Sequence, residues 1–310
     1  MRLTEKLQLI LQLSGLTQAT LAHELGVSFA TLNRWINGHA IPRKSAERKI
    51  NETYKVHTGV GDAPYTVSTV KLAVIEKKRT THRNAIKEIL AFPDIRDAFL
   101  LALTYHTNRI EGSTLTEAET AAILFEHASP PHKTLIEQLE AKNHQAALEF
   151  TFAHIAQKHP ISEAFILRCH EILLNAIRDD AGMYRVHPVR IVGANVPTAN
   201  YVSVPKRMVA LMRRIHQKRI TNIVEHVATV HAEFEQINPF ADGNGRVGRL
   251  LMHAMLLRNQ YPPAVLRQQK RKQYMRALRT AQIQGDTNAL CEVVADSILL
   301  GYLMLERKGA

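Results

Sequence analysis

Apolar residues recur at helical spacing along most of this 310-residue chain. Within residues 2–50, three short amphipathic segments follow one another, and Gly26 ends the second where a left-handed residue is favoured. Thr17 and Ser28 precede the second and third segments, where their hydroxyls can cap a helix. The helical pattern resumes over residues 75–307. An all-α fold class is therefore predicted.

Two stretches interrupt the helical pattern. Residues 53–75 mix Gly, Pro, Thr and Val without a helical period, which is typical of a linker. Residues 184–204 contain prolines among alternating Val and Ile residues, which predicts a short β-hairpin or flap. The predicted organisation is a first domain over residues 1–55, a linker over 56–74 and a second domain over 75–310.

The composition is that of an ordinary soluble globular protein, with 45% hydrophobic and 22% charged residues. No apolar run long enough to span a membrane is evident, and the N-terminus lacks a signal-peptide core. The two cysteines, Cys169 and Cys291, lie far apart, which favours buried thiols in a reducing compartment over a disulfide. A cytoplasmic protein without a membrane partner is predicted.

The chain carries a formal net charge of +12 and a pI near 9.8, which favours an anionic partner. Nucleic acid and nucleotide phosphates both satisfy this charge. Residues 1–60 hold eight Lys and Arg against four Glu, a surplus of four positive charges. Charge alone does not choose between the two partners.

The segment 16–38 places a glycine-containing turn between two helices, the arrangement that inserts a second helix into the DNA major groove. It is similar to the XRE, or lambda-repressor-like, DNA-binding family over about residues 3–50. This helix-turn-helix resemblance implies contact with double-stranded DNA by Gln18, Ser28, Phe29, Thr31, Asn33 and Arg34. Amide side chains can pair with adenine, arginine with guanine, and hydroxyls with phosphate. The alternative is a helical module for dimerisation or protein contact.

Residues 237–249, Ile-Asn-Pro-Phe-Ala-Asp-Gly-Asn-Gly-Arg-Val-Gly-Arg, are the most informative stretch. A buried helix is predicted on either side, so residues 243–245 lie at a helix N-terminus, where free N–H groups and the helix dipole favour anions. Arg246 and Arg249 are three residues apart and can point at one site. Asp242 is a hard oxygen ligand suited to Mg²⁺. The alternative is a glycine turn with a solvated charged face.

This stretch closely resembles the signature of the Fic family, whose members usually transfer AMP from ATP onto protein hydroxyls. The resemblance covers roughly residues 75–305 and implies ATP as ligand, with Mg²⁺ held by Asp242. It implies nucleotide binding by Gly243, Asn244, Gly245, Arg246 and Arg249. Within that set, the glycine turn would form the anion hole, and Arg249 would reach the γ-phosphate.

Two further segments resemble Fic elements. Residues 182–193 are similar to the start of the flap that aligns target side chains, although a hairpin with only structural duties is the alternative. Residues 107–112, Thr-Asn-Arg-Ile-Glu-Gly, resemble the inhibitory motif of the family. By that resemblance, Glu111 would pair with Arg249 and block the γ-phosphate site. The alternative for Glu111 is an ordinary acid on a helix surface.

The signature departs from the family at Asn238, where relatives have the histidine that acts as general base. An amide cannot accept a proton near neutral pH, and loss of a positioned base costs on the order of 100- to 10,000-fold in rate. His231 lies two helical turns earlier, about 10 Å along the axis, which is too far for direct replacement. We interpret His231 as a packing residue.

Three functions are consistent with these patterns. The first is a DNA-binding transcriptional regulator, dimeric on an inverted repeat, whose Fic domain binds nucleotide but is catalytically impaired by Asn238. The second is an active protein adenylyltransferase that is inhibited by Glu111, acts on a protein substrate and binds DNA for autoregulation. The third is a scaffold without enzymatic activity.

Overall fold

The computed structural model describes residues 2–58, 67–189 and 198–306, and every regular element within them is a helix. The all-α fold class predicted from the sequence is therefore confirmed. Of the predicted hairpin over residues 184–204, residues 190–197 lie outside the described residues, and the described residues on both sides contain no strand. The chain divides into two compact units, Met1–Thr81 and His82–Ala310.

The described part of the first unit contains five helices. They are α1 (Leu3–Ser14), α2 (Gln18–Leu25), α3 (Phe29–Ile36), α4 (Lys44–Thr58) and α5 (Val67–Thr81). Thr17 and Ser28 cap α2 and α3 as predicted, since their side-chain oxygens accept hydrogen bonds from the backbone N–H groups of Thr20 and Thr31. Gly26 ends α2 with a φ of +70°, a conformation that glycine adopts without strain.

Helix α5 overlaps the stretch where the sequence predicts a linker, and it belongs to the first unit. Val70 and Val74 are buried four residues apart, with Ile75 beside them. These three residues form the short apolar face that holds the helix in place, too short a repeat to stand out from the mixed composition around it.

The second unit is larger, and its described residues form ten α-helices. They are α6 (Ala85–Ala91), α7 (Pro93–Glu111), α8 (Glu117–Phe125), α9 (Leu135–Ala156), α10 (Glu163–Leu173), α11 (Val204–Ile215), α12 (Ile223–Ile237), α13 (Asn244–Arg258), α14 (Arg271–Gln284) and α15 (Asn288–Leu305). Helix α13 is buried on nearly all sides, and it packs against α7, α9, α10 and α12. The loop 238–243 joins α12 to α13 within this core.

Helix α15 contradicts the prediction that no segment of the chain is long and apolar enough to span a membrane. Its 18 residues are long and apolar enough, by length and composition, to cross a membrane, so the expectation that the chain lacks such a run is wrong. However, 61% of this window is buried inside the protein, where it packs against α12 and α14. At Gly301 a side chain would collide with the backbone oxygen of Pro263. The helix is therefore apolar because it is part of the core.

Candidate functional site

The loop between α12 and α13 begins at Asn238, which ends α12 in the left-handed conformation with φ +50° and ψ +63°. Its backbone N–H donates to the oxygen of Phe234 at 2.9 Å, and the residue is only 9% exposed. Asparagine is one of the few residues other than glycine that visit this conformation readily. Asn238, which the Fic resemblance assigns to the general-base position, therefore closes the helix.

Arg185 holds this loop from the other side, a role that no sequence pattern predicted. The side chain is 4% exposed and donates hydrogen bonds to the backbone oxygens of Asn238 at 2.7 Å and Ala199 at 2.6 Å. Its backbone N–H donates to the oxygen of Pro239 at 3.0 Å. Burial lowers the pKa of Arg185, and the surrounding carbonyl dipoles offset part of this desolvation. The arginine thus ties the loop to both flanks of residues 190–197.

Asn244 fixes the middle of the loop through its side chain. Its Oδ1 accepts from the N–H of Phe240, and its Nδ2 donates to the oxygen of the same residue, both at 2.9 Å. The predicted phosphate contact of Asn244 therefore has to come from its backbone. Val247 makes the first intrahelical bond of α13, to the oxygen of Gly243 at 3.0 Å. The three preceding N–H groups have no intrahelical partner and are suited to an anion.

His170 on α10 supports the same turn and was also missed by the sequence analysis. Its ring stacks on Phe240, with ring centroids 3.8 Å apart and the planes within 7°. The N–H of Gly182 donates to Nδ1 at 2.8 Å, so Nδ1 is unprotonated and Nε2 donates to the oxygen of Asp242 at 3.1 Å. Burial lowers the pKa of His170 to about 4, so the ring is neutral at physiological pH.

Asp242 points outward at the mouth of the turn, with 57% of its side chain exposed. Its Oδ1 accepts from the N–H of Gly243 at 2.7 Å, and its Oδ2 lies 3.9 Å from Nη2 of Arg246. No group of three or more His, Cys, Asp or Glu residues that could hold a metal occurs among the described residues. A single carboxylate fits Mg²⁺, which is commonly held by one or two carboxylates together with phosphate oxygens.

Arg246 is 4% exposed and lies on the first turn of α13. Its Nη1 donates to Oε1 of Glu140 on α9 at 2.6 Å, and its Nη2 lies 3.9 Å from Oδ2 of Asp242. The guanidinium group is therefore beside the turn that the sequence predicts as the anion hole. The contact with Glu140 orients it and had no signal in the sequence.

Arg249 and Glu111 are paired, although they are far apart in the chain. Nη2 of Arg249 donates to Oε1 of Glu111 at 2.5 Å, and its Nε donates to Oγ1 of Thr107 at 2.6 Å. The same Glu111 oxygen lies over Gly245, where an added Cβ would be 2.5 Å away. The carboxylate thus covers the first turn of α13 as well as the arginine.

Several groups together balance the charge on Arg249. The arginine is 3% exposed, and burial, the largest single effect, lowers its pKa, but the interactions with Glu111, Tyr274 and Glu235 together outweigh burial and raise that pKa above its usual value. Nε2 of His231 lies 2.7 Å from the hydroxyl oxygen of Tyr274, and burial lowers the pKa of His231 to about 3. His231 is therefore a neutral, buried packing residue.

The structure thus brings together the second-unit residues that were predicted for a site. Asn238, Asp242, the turn 243–245, Arg246, Arg249 and Glu111 meet at the loop and the first two turns of α13. The predicted DNA-contacting residues cluster separately in the first unit.

In the first unit, Phe29 and Arg34 on α3 are exposed, the phenylalanine at 53%. Nδ2 of Asn33 donates to Oε1 of Gln18 at 3.3 Å, which joins the polar faces of α2 and α3. Ser28 and Thr31 share a bond between their hydroxyls at 2.8 Å at the start of α3. Trp35 is buried, as a core residue of the unit.

Comparison with known families gives two matches along the chain. Residues 160–256 match the Fic/DOC family, and residues 7–60 match a helix-turn-helix family. The first range contains α10 to α12 and most of α13, and the second contains α2 to α4. Together these two ranges cover the loop 238–243, the turn that is predicted to bind an anion, and the predicted DNA-contacting residues.

Individual relatives point the same way. The chain is 32% identical over 199 residues to the protein adenylyltransferase Fic of Drosophila mojavensis and 31% identical to that of Drosophila melanogaster. Each match covers 62% of this chain but only 38% and 39% of the relative, so the chain spans about two fifths of the length of these relatives.

Solved structures share the fold. A Fic domain containing signaling protein from Bacteroides thetaiotaomicron superposes with a TM-score of 0.66 at 24% identity, covering 77% of this chain and 99% of that one. Fic-1 from C. elegans superposes with a TM-score of 0.67 at 23% identity, covering 93% and 84%.

His170 makes the stability of the loop dependent on pH. Its pKa is about 4 in the folded state and near 6.5 when unfolded, so the unfolded chain binds the extra proton first. Its stabilising contribution, up to about 3 kcal/mol, is complete above pH 6.5 and is lost as the pH falls towards 4. Denaturant unfolding should therefore show that the difference in free energy of unfolding between the protein and His170→Gln becomes smaller as the pH falls from 6.5 towards 4. Substitution of the exposed His216 is the control, and a constant difference for His170→Gln would contradict the assignment.

Proposed function

Since the chain contains a Fic/DOC domain and an N-terminal helix-turn-helix domain, we propose that it is a DNA-binding transcriptional regulator whose Fic domain binds a nucleotide but transfers it poorly. The observation that carries this proposal is Asn238. It occupies the base position of a site in which the anion-binding turn, Asp242 and both arginines are in place. A site that retains its nucleotide-binding groups and lacks its general base is suited to sensing a nucleotide without transferring it.

ATP with Mg²⁺ is the proposed ligand of this site. The first-turn N–H groups of α13 and the guanidinium of Arg246 would bind the α- and β-phosphates, while Arg249 would bind the γ-phosphate. When bound, Mg²⁺ held by Asp242 would neutralise charge between the phosphates. Because Glu111 occupies Arg249 and covers Gly245, it has to move before a triphosphate can be seated.

With Asn238 at the base position, the transfer of AMP to a hydroxyl would lack a proton acceptor. Transfer of AMP requires that a target hydroxyl lose its proton as its oxygen attacks the α-phosphorus, and diphosphate leaves. The amide of Asn238 cannot take that proton. His231 is buried and lies against Tyr274, so it is not placed to take over.

An active protein adenylyltransferase is the alternative function. The adenylyltransferases of Drosophila match 62% of this chain, and the pairing of Glu111 with Arg249 is a gate that would suit an enzyme held inactive. In that case the helix-turn-helix domain would regulate expression of the chain itself. We further propose that the protein acts in the cytoplasm as a homodimer on an inverted repeat, since two-fold operators match two-fold proteins.

Arg34 tests the DNA-binding part of the proposal. Arg34→Ala should weaken binding to the selected operator by about 1–3 kcal/mol and relax its sequence preference, because an arginine on the recognition helix contacts base edges. Arg43→Ala is the control, since a phosphate contact there should weaken binding to all sequences alike. Binding would be measured by fluorescence anisotropy against operators selected from pooled fragments. An equal loss of affinity on every DNA sequence for Arg34→Ala would show that Arg34 contacts phosphate and not base edges. If the protein bound none of the fragments, the proposed DNA-binding function would be wrong.

Restoring the base tests the catalytic part. The double variant Asn238→His with Glu111→Gly should label a Ser, Thr or Tyr hydroxyl with AMP from α-labelled ATP. The gain over Glu111→Gly alone should be on the order of 100- to 10,000-fold, the usual contribution of a general base. Asn238→Gln with Glu111→Gly is the matched control and should stay unlabelled. Strong labelling by Glu111→Gly alone would favour the alternative enzyme, and an unlabelled double variant that still binds ATP would show that more than the base is missing.

A further inference from the structure

A second carboxyl group lies behind Arg249. Glu235 is on α12, one turn before Asn238, and only 10% of its side chain is exposed. Its Oε1 is buried without a hydrogen-bond partner among the described residues, and it lies 4.0 Å from Nε2 of His231. A buried carboxyl oxygen with an unused bonding capacity is costly, so its position calls for an explanation.

The carboxyl group of Glu235 lies against α13 at Gly248, the residue before Arg249. A side chain on Gly248 would collide with Oε1 of Glu235, so this glycine is what allows the carboxyl group to approach α13. Arg249 is the next residue. The electrostatic effect of Arg249 on Glu235 favours the ionised carboxylate, while that of Glu111 disfavours it. Glu111 makes the direct ion pair with Arg249, and Glu235 acts on the same guanidinium through space.

The surroundings leave Glu235 as the group that can titrate near neutral pH. Burial raises the pKa of Glu235 to about 8, whereas burial lowers the pKa values of His231 and His253 to about 3. Burial also lowers the pKa of His144 on α9 and raises that of Tyr274 on α14. His231, His253, His144 and Tyr274 are therefore neutral at pH 7. The charged groups that face Glu235 are Arg249 and Glu111.

We propose that Glu235 is a second counter-ion of Arg249 and determines how strongly this arginine binds the terminal phosphate of a nucleoside triphosphate. This inference rests on the proposed function, because it assumes that Arg249 meets the phosphate. With Glu111 in place, two carboxyl groups compete for one cation, and Glu235 stays protonated. When Glu111 leaves, that repulsion disappears, and Glu235 can ionise and neutralise the otherwise unpaired arginine.

Binding of the triphosphate would reverse this change. The γ-phosphate brings negative charge to Arg249, which disfavours the ionised form of Glu235 and raises its pKa. Glu235 therefore takes up a proton as the nucleotide binds. By linkage, triphosphate affinity is highest where Glu235 is already protonated and falls as the pH rises through the pKa of Glu235. Each pKa unit that the phosphate adds corresponds to about a tenfold loss of affinity at high pH.

The test compares Glu111→Gly with Glu111→Gly/Glu235→Gln by calorimetry with ATP and Mg²⁺ between pH 6 and 9. The amide imitates the protonated carboxyl group and cannot ionise. The ratio of the two affinities should be near one at pH 6 and reach on the order of tenfold in favour of the glutamine variant at pH 9. Ionisation of ATP itself affects both proteins alike and cancels in the ratio.

Controls separate this role from a structural one. Glu233→Gln, on the same helix but partly exposed and paired with Arg214, should leave the pH profile unchanged. ADP, which lacks the γ-phosphate, should give a ratio near one at every pH. Proton uptake on binding ATP, measured in buffers of different ionisation enthalpy, should be lost in the glutamine variant. Glu235→Met provides a second variant without a titrating group if the glutamine variant unfolds.

Parallel pH profiles with and without Glu235, or equal proton uptake, would overturn the inference while leaving the proposed function intact. If none of the proteins binds ATP at any pH, the proposed nucleotide site is wrong and this inference falls with it. A constant advantage of the glutamine variant at all pH values would indicate repacking of the core and would also overturn the inference.

Discussion

The second unit is organised around one buried guanidinium group. Arg249 is 3% exposed on a helix that is itself buried, so its charge has to be balanced by groups brought from elsewhere in the chain. Glu111 supplies the opposite charge and Thr107 accepts a hydrogen bond, both from the end of α7. Because the side chain of Glu111 is 40% exposed, solvent weakens this pair relative to a fully buried one. The position of α7 is therefore coupled to whatever binds the arginine.

The geometry of the anion-binding turn does not depend on the group at the base position. Its shape is fixed by the side chain of Asn244 on Phe240, by the stacking of His170 and by Arg185 on the backbone oxygen of Asn238. Asparagine at this position keeps the left-handed conformation that ends α12. Under the proposed function, the turn that would bind phosphate keeps its shape with Asn238 in place of a proton acceptor, as a nucleotide sensor would require.

The sequence was sufficient for features that are local in the chain. Helical periodicity predicted the all-α fold, and Thr17 and Ser28 marked the helix starts where the structure has them. The motif around Arg249 and its partner Glu111 were recognised through family resemblance. Arg185 and His170 were missed because their partners are backbone groups brought close only by the fold, and such contacts leave no periodic pattern. Helix α15 lies within the predicted helical stretch, but its apolar length was overlooked, and the structure shows that most of this helix is buried in the core.

The pairing of Glu111 with Arg249 can be tested directly by the affinity of the protein for ATP with Mg²⁺. Calorimetry on the unaltered protein, Glu111→Gln and Glu111→Gly should show weak binding by the first and tighter binding by both variants. The gain should be on the order of tenfold or more, because each variant removes a carboxylate that would repel the γ-phosphate. The glutamine variant keeps the size of the side chain and so isolates the charge. Unchanged or weaker binding in both variants would show that Glu111 does not close the site.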